Sequence, residues 1–255
     1  TAAVNARLEH VTDWPSDQAA DLLNRLFPPD APHADDVRWQ KMACAIGARA
    51  PFAVITGGPG TGKTTTVIRL LALLQGLTRL ANQPALTIAL AAPTGKAAAR
   101  LNESIAQQVA ALNDIELPDG TQQSVPTEVK TLHRLLGARP DTRHYAYHAH
   151  RPLPYDMVVV DEASMVDIEM MAALLDALPS HARLVLIGDK DQLASVEAGA
   201  VLGSLCQRAD EGHYNDPTAQ WITATTGYAL DTSLTNLSGQ ALDQAVAKLR
   251  HSFRF

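Results

Sequence analysis

The sequence predicts an α/β fold, a mostly parallel sheet with helices on both faces, and three observations carry that prediction. The apolar runs Phe52–Ile55, Leu86–Ala91, Met157–Val160 and Leu184–Ile187 are continuous rather than alternating, as strands buried on both faces must be. Helical patterns follow them: Val67, Leu70, Leu71 and Leu74 share one face, then come an Ala-rich segment from Lys96 to about Leu112 and a segment Ile168–Leu178. Finally, the first run ends in Gly57-Gly-Pro-Gly-Thr-Gly62-Lys63-Thr64, which fits G-x-x-x-x-G-K-[ST] in the strand–loop–helix setting that pattern requires.

The 255 residues suffice for one large or two small domains, and the apolar content is ample for a core. A net charge of −6 argues against a chain that wraps nucleic acid over its whole surface, and leaves room for a local basic track. Cys44 and Cys206 lie far apart in no metal-ligand spacing and read as reduced thiols of a cytoplasmic protein. No apolar run approaches a membrane span, and Thr1–His10 is too polar for a signal peptide. A chain that begins without Met and stops at Phe255, directly after Arg254, reads as a piece of something longer.

Along the chain, residues 1–36 are polar with one amphipathic helix, Asp17–Phe27, for which Ser16 is the expected N-cap and Pro28-Pro29 the stop. Pro, Asp and His then give a linker up to Asp36. A second helix runs from Val37 to near Gly47 and delivers the chain to the first strand. Residues 113–126 are loop-like, and Thr131–Gly137 is a short segment closed by glycine. The Gly, Asn, Asp, Ser and Thr content of 209–240 predicts a long surface excursion, and 241–249 reads as a helix leading to the terminal His251-Ser-Phe-Arg-Phe255. There is no internal repeat.

Glycines are needed after the first strand because backbone N–H groups must turn inward onto phosphate oxygens with no Cβ in the way. The helix N-terminus adds partial positive charge, Lys63 reaches the β- and γ-phosphates, and the Thr64 hydroxyl can ligate Mg²⁺. Asp161 and Glu162 follow the third strand, where an open α/β sheet binds its ligands. Asp161 would complete the Mg²⁺ shell, and Glu162 would orient and deprotonate the attacking water. Alone the pair could equally be an acidic helix start; the phosphate loop decides for chemistry. Gln192, just beyond the fourth strand, can hydrogen-bond a γ-phosphate, although a solvated turn would look the same.

Between Lys130 and Pro154 the cations Lys130, Arg134, Arg139, Arg143 and Arg151 face only Asp141, a positive patch in an acidic chain. Tyr145 and Tyr147, alternating with His144 and His148, suggest an exposed β-ribbon with rings available for bases. The histidines share no ligand spacing with a carboxylate or Cys.

Val54–Val67, Ala91–Leu101, Thr131–Gly137, Val159–Met165 and Gly188–Leu202 together resemble the RecD family, the α subunits of exodeoxyribonuclease V and superfamily 1 DNA helicases. The resemblance runs from about Val37 to Phe255 with the motifs in family order. It implies a RecA-like P-loop NTPase domain over 37–255, the first of two motor domains, with a small β-hairpin insertion at about 138–155. Residues 1–36 would be the tail of an N-terminal domain and a linker. It implies that Gln40, in Trp39-Gln40, reads adenine and that ATP is held by Gly57, Gly58, Pro59, Gly60, Thr61, Gly62, Lys63, Thr64 and Thr65. It places Pro93, Thr94, Gly95, Lys96, Thr131 and His133 on the DNA backbone, and Arg254 at the γ-phosphate. It further implies ATP-driven 5′-to-3′ movement on single-stranded DNA, a role in double-strand-break repair and recombination, and RecB-like and RecC-like partner subunits. The chain departs from the family in lacking the second motor domain and most of the N-terminal one, so by itself it is expected to bind Mg·ATP weakly and hydrolyse little. Two other classes share parts of the pattern. A small-molecule kinase would not need the Thr94, Thr131 and Gln192 motifs and would bring an acceptor lid; a non-catalytic scaffold would not need Lys63, Asp161 and Glu162 intact.

Overall fold

Every run expected to be a buried strand is one, and each lies parallel to its neighbours. The computed structural model describes residues 2–29, 37–139, 144–192 and 199–253. In chain order the elements are α1 (Ala2–Leu8), α2 (Ser16–Leu26), α3 (Arg38–Arg49), β1 (Phe52–Gly57), α4 (Lys63–Leu80), β2 (Ile88–Ala92) and α5 (Gly95–Ala111). They continue with β3 (Val129–Thr131), α6 (Leu132–Leu136), β4 (Met157–Val160), α7 (Ile168–Ala177), β5 (Arg183–Gly188), α8 (Gly199–Leu205), α9 (Asp216–Thr226) and β6 (Val246–Leu249). Among the described residues the sheet has six strands in the order β3-β2-β4-β5-β1-β6. All of its ladders are parallel.

Alternate residues of each strand feed two separate cores. Ala53 and Ile55 of β1, Leu90 of β2, Val159 of β4 and Ile187 of β5 join the layer formed by α2, α3, α4, α5 and α9. Phe52, Val54, Ala91, Val158 and Leu186 join the opposite layer, with α6, α7, α8 and the apolar face of α1. Covering both faces explains why these strands lack any polar alternation. Burial on several sides likewise explains α4, in which Val67, Ile68, Leu70, Leu71, Leu73, Leu74 and Leu77 are all buried. Each such side chain contributes roughly 1.5–3 kcal/mol. Its buried Gln75 amide is paired: it donates to Leu86 O and Ser124 O at 2.9 Å and accepts from Leu86 N at 3.0 Å. That clip fixes the approach to β2.

The structure corrects several expectations. Residues 241–249 are not a helix: a 3₁₀ turn, Asp243–Ala245, leads into β6, which pairs with β1 from Val54↔Val246 to Gly57↔Leu249. Leu242, Ala245, Val246 and Leu249 fit a helical stripe, but so short a run satisfies either period. The open edge of β1, with its unpaired backbone groups, decides for a strand. Residues 209–240 are not all surface excursion, because α9 buries Ile222, Thr225 and Thr226 and its Trp221 Nε1 donates to Ala45 O at 2.8 Å. Its signals were the Asn215 side chain capping Thr218 N and the left-handed Gly227. Ser16 is the first helical residue rather than the cap; Pro15 holds the cap position without a side-chain bond. Helix α1 and strand β3 had no counterpart in the sequence reading. Where the hairpin with its exposed β-ribbon was expected, the described residues form no strand, only two isolated antiparallel bridges, Ala138↔Tyr145 and His148↔Arg151. Most of the linker, 30–36, and residues 140–143 of the hairpin lie outside the described residues. Among the described residues no helix is long and apolar enough to cross a membrane.

Two buried guanidinium groups fasten the N-terminal segment beneath the sheet. Arg7 donates from Nε to Ala182 O at 2.9 Å and from Nη2 to Pro179 O at 2.6 Å. Arg183, at the start of β5, donates to Gly47 O, Ala48 O and Ala50 O at 3.1–3.4 Å, and also to the Thr12 hydroxyl. Burial lowers the Arg183 pKa to about 10, so it stays charged at neutral pH and neutralises the carboxyl end of α3. Helix α3 carries Gln40 at its other end, so this contact sets the height of α3 against β1.

Replacing Arg183 by Met would take this donor from Gly47 O and Ala50 O, while Ala48 O keeps Trp14 Nε1 at 3.0 Å, and the expected loss is about 3 kcal/mol. Hydrogen exchange of β5 and α3 amides in the full-length protein measures it; a change below about 0.5 kcal/mol would contradict the assignment.

Candidate active site

At Gly57, Gly60 and Gly62 the loop after β1 has no place for a side chain. Gly60 and Gly62 have φ of 76° and 78°, in the left-handed region. A Cβ on Gly62 would also fall 2.1 Å from Gln40 Nε2, and one on Gly57 would meet Thr61 Oγ1 at 2.7 Å and Leu249 Cβ at 2.9 Å. Hydroxyls stitch the loop: Thr61 donates to Gly58 O and Thr66 to Gly62 O, both at 2.9 Å. Lys63, first residue of α4, folds its ammonium back onto Gly57 O and Gly58 O at 2.8 and 2.9 Å. Gln40 is buried, and its amide donates to Thr61 O at 3.1 Å, so it supports the loop from behind. In front, the chain leaving β6 crosses the loop, with Phe253 N donating to Gly60 O at 3.0 Å and Ser252 Oγ to Pro59 O at 3.3 Å. Arg254, the next residue, lies outside the described residues.

Sheet register brings the acids to the same end. Thr56↔Gly188 and Val160↔Leu186 align the carboxyl ends of β1, β5 and β4. The connection leaving β1 runs through α4 toward β2, and the one leaving neighbouring β5 runs the opposite way through α8 and α9 to β6, the change of direction that opens a crevice in such sheets. Asp161 leaves β4 there, with its own N–H donated to Ala91 O and Oδ1 accepting Glu162 N–H, both at 2.9 Å. Burial pushes its carboxyl up to about 6; the charge of Glu162 adds to this, while the Glu162 N–H and Lys63 oppose it. Thr64 and Asp161 line one small cavity with Val67, Leu90 and Ile187. A hydroxyl and a carboxylate make an oxygen-only pair, which fits Mg²⁺ with waters and phosphate oxygens completing the shell. Glu162 sits at φ 52°, ψ 39°, a left-handed conformation that costs a non-glycine residue roughly 1–2 kcal/mol. Strain held at the strand exit is typical of a functional position.

Gln192 is exposed, and its Oε1 accepts from Ser164 Oγ at 3.2 Å, which joins the loop after β5 to the turn after Glu162. Ser164 was not singled out in the sequence; its place two residues after the acid pair was the available signal. Lys190 N donates to Thr56 Oγ1 at 3.1 Å, tying the same loop to β1.

The residues expected on DNA occupy the next two strand ends. Thr94 caps α5 by accepting from Ala97 N, and Thr131 caps α6 by accepting from Arg134 N, each at 3.2 Å. Ala92↔Thr131 register sets these helix starts side by side. Thr94, Gly95, Lys96, His133 and Arg134 are exposed there, and Pro93 is partly so. Tyr145 and Tyr147 are partly buried against the α6–α7 core, with Tyr145 OH 3.8 Å from Met170 Sδ and Arg151 5.4 Å over the Tyr147 ring. Part of each ring is therefore already spent on packing.

Residues 40–198 match the AAA domain family. The chain is similar to the RecBCD enzyme subunit RecD of Haemophilus influenzae, 45% identical over 218 residues, which are 85% of this chain and 33% of that protein. It is similar to RecD of Mycolicibacterium smegmatis, 53% identical over 169 residues, 66% of this chain and 30% of that one. It also resembles the ATP-dependent RecD2 DNA helicase of Deinococcus radiodurans, 39% identical over 158 residues, 62% of this chain and 18% of that one. The chain spans about a third or less of the length of these curated relatives.

Because the folded-state pKa of Asp161 lies above its ordinary value, its ionisation costs stability above about pH 6 and nothing below about pH 4. Asp161→Asn should therefore stabilise the nucleotide-free protein at pH 8, on the order of 1–3 kcal/mol, and leave it unchanged near pH 4. Melting curves at both pH values test this; an equal effect at both would contradict it.

Proposed function

Since the chain belongs to the AAA domain family and is RecD-like over most of its length, we propose that it is the first motor lobe of an ATP-driven DNA helicase of the RecBCD type. In this reading residues 37–255 form the lobe, with the hairpin of about 138–155 inserted in it, and 1–36 are the tail of a preceding domain with its linker. The observation that carries the proposal is the row of strand ends. Lys63 and Thr64 follow β1, Gln192 follows β5, Asp161 and Glu162 follow β4, and Thr94 and Thr131 cap the helices after β2 and β3. Nucleotide chemistry and strand contact thus share one edge of one sheet.

The loop N–H groups and Lys63 bind the triphosphate, and Lys63 exchanges its carbonyl partners for phosphate oxygens. Thr64 and Asp161 would hold Mg²⁺, which would neutralise charge on the β- and γ-phosphates. Glu162 takes the proton of the attacking water, Gln192 accompanies the γ-phosphate, and Arg254 is assigned to the transition-state charge. Gln40 supports the loop from the side where adenine is assigned. Single-stranded DNA at a duplex end crosses Pro93–Lys96 and Thr131–His133, held by phosphate contacts that carry no sequence information. Movement 5′ to 3′, RecB-like and RecC-like partners, and action in cytoplasmic double-strand-break repair and recombination belong to this reading through its RecD likeness.

Phosphate release by the full-length protein, with and without single-stranded DNA, is the test of the whole proposal; no stimulation by DNA would refute it. Glu162→Gln should keep ATP bound and slow hydrolysis by about 10²–10⁴-fold, whereas Lys63→Ala should weaken binding itself. Turnover near wild type in Glu162→Gln would remove its assigned role.

The capping roles of Thr94 and Thr131 make alanine a poor probe of DNA contact, because losing a cap costs about 1 kcal/mol by itself. Lys96→Ala avoids this. It should weaken single-strand affinity equally for all sequences and flatten the log–log salt dependence by about 0.7. An unchanged salt slope would move the DNA track elsewhere.

A further inference from the structure

The turn after α8 gathers contacts that neither nucleotide nor DNA binding requires. The Asp210 carboxylate receives Lys190 Nζ at 2.9 Å and Lys248 Nζ beside it. Its backbone carbonyl accepts Arg250 NH2 at 2.6 Å. Those three cations come from two separate segments. Lys190 lies between Asp189 and Gln192 in the loop after β5, Lys248 is in β6, and Arg250 is just past its end.

Each partner reaches on toward the phosphate loop. Lys190 N binds the Thr56 hydroxyl at the end of β1, and two residues later Gln192 binds Ser164 behind Glu162. The Arg250 guanidinium lies 4.9 Å over the Trp39 ring, next to Gln40, whose amide holds Thr61 O. Two residues after Arg250, Ser252 and Phe253 bind the carbonyls of Pro59 and Gly60. One aspartate therefore joins the loop that carries Gln192 to the strap that crosses the phosphate loop.

Electrostatics agree with a fully engaged carboxylate. Hydrogen bonds from Lys248 and Lys190 hold Asp210 down at about 2, and Lys190 is raised by its bonds to Asp191 and Asp210. Asp210 is half exposed, and ion pairs at such sites add little stability. What the arrangement supplies is geometry: the Gln192 loop and the strap that crosses the phosphate loop are held to a single point.

We propose that Asp210 is a positioning residue for ATP hydrolysis, coupling the Gln192 loop to the 250–253 strap so that both reach the γ-phosphate together. Asp210 touches neither nucleotide nor metal. The inference rests on the ATPase reading of the site. A coupling of this kind distinguishes ligands with a γ-phosphate from those without one, because only the former use both segments.

The test uses the full-length protein with Asp210→Asn, which keeps the shape and removes the charge, and Asp210→Glu, which restores the charge. Affinities for Mg·ADP and for a non-hydrolysable Mg·ATP analogue are measured beside kcat and KM of DNA-stimulated hydrolysis. Asp210→Asn should bind ADP as the wild type does, lose about tenfold of its preference for the ATP analogue over ADP, and lose kcat by a similar factor. Asp210→Glu should recover part of both. Wild-type preference and kcat in Asp210→Asn would overturn the proposal, and so would an equal loss of ADP and analogue affinity, which marks a merely structural residue. A wild-type protein that neither prefers the analogue nor hydrolyses ATP would instead sink the ATPase reading, and the inference with it.

Discussion

The parallel ladder between β1 and β5, running from Phe52↔Leu184 to Thr56↔Gly188, sets where every chemical group in this chain can stand. Parallel strands end on the same side, so pairing β5 with β1 on one side and β4 on the other sets Gly188 level with Thr56, and Val160 level with Leu186 and Val54. Whatever follows those residues meets at the crevice: the phosphate loop, the Gln192 loop and the acid pair. A slip of one residue would exchange the two faces of a strand, moving Val54 and Ile55 into each other's layers. The distinct cores on the two faces forbid such a slip. The site is thus a consequence of packing on both sides of the sheet, far from the residues that do chemistry.

Polar groups at the ends of the sheet fix what packing leaves free. Arg183 beneath the sheet binds the carboxyl end of α3, while Gln40 near its start binds the phosphate loop. The same helix therefore spans from the floor of the domain to the loop after β1. Glu162 is held in a left-handed conformation beside a carboxyl, Asp161, that burial keeps partly protonated near neutral pH. Both features cost stability in the nucleotide-free state, and a bound cation with phosphates would relieve the second.

The sequence revealed most where local pattern and long-range packing agree. Four apolar runs and the Gly57–Thr64 spacing fixed the buried strands and the loop, because continuous β-branched runs and clustered glycines have few other uses. Residues 241–249 misled, since a stretch that short fits both periods and only the vacant edge of β1 makes it a strand. Helix α9 was hidden by its threonines, which are weak helix formers held helical by packing against α2 and α3. In the site, Lys63, Asp161, Glu162 and Gln192 could be found by spacing. The helper contacts could not. Ser164 on Gln192, Phe253 on Gly60 and Asp210 between Lys190 and Lys248 join residues 20 to 193 positions apart, and no local pattern encodes them. Thr94 and Thr131 carry a second lesson, because in the fold each is a helix cap before it is anything else.

Thr64 and Asp161, beyond the ends of β1 and β4 with β5 between them, are proposed to share one cation. Crystals of the full-length protein with Mn²⁺ and a non-hydrolysable ATP analogue would locate that cation by anomalous scattering. The predicted result is a single peak within roughly 2–2.5 Å of Thr64 Oγ1 and of β- and γ-phosphate oxygens, with the Asp161 carboxylate in the same shell directly or through one water. A peak elsewhere, or phosphates bound away from the Gly57–Thr64 loop, would contradict it.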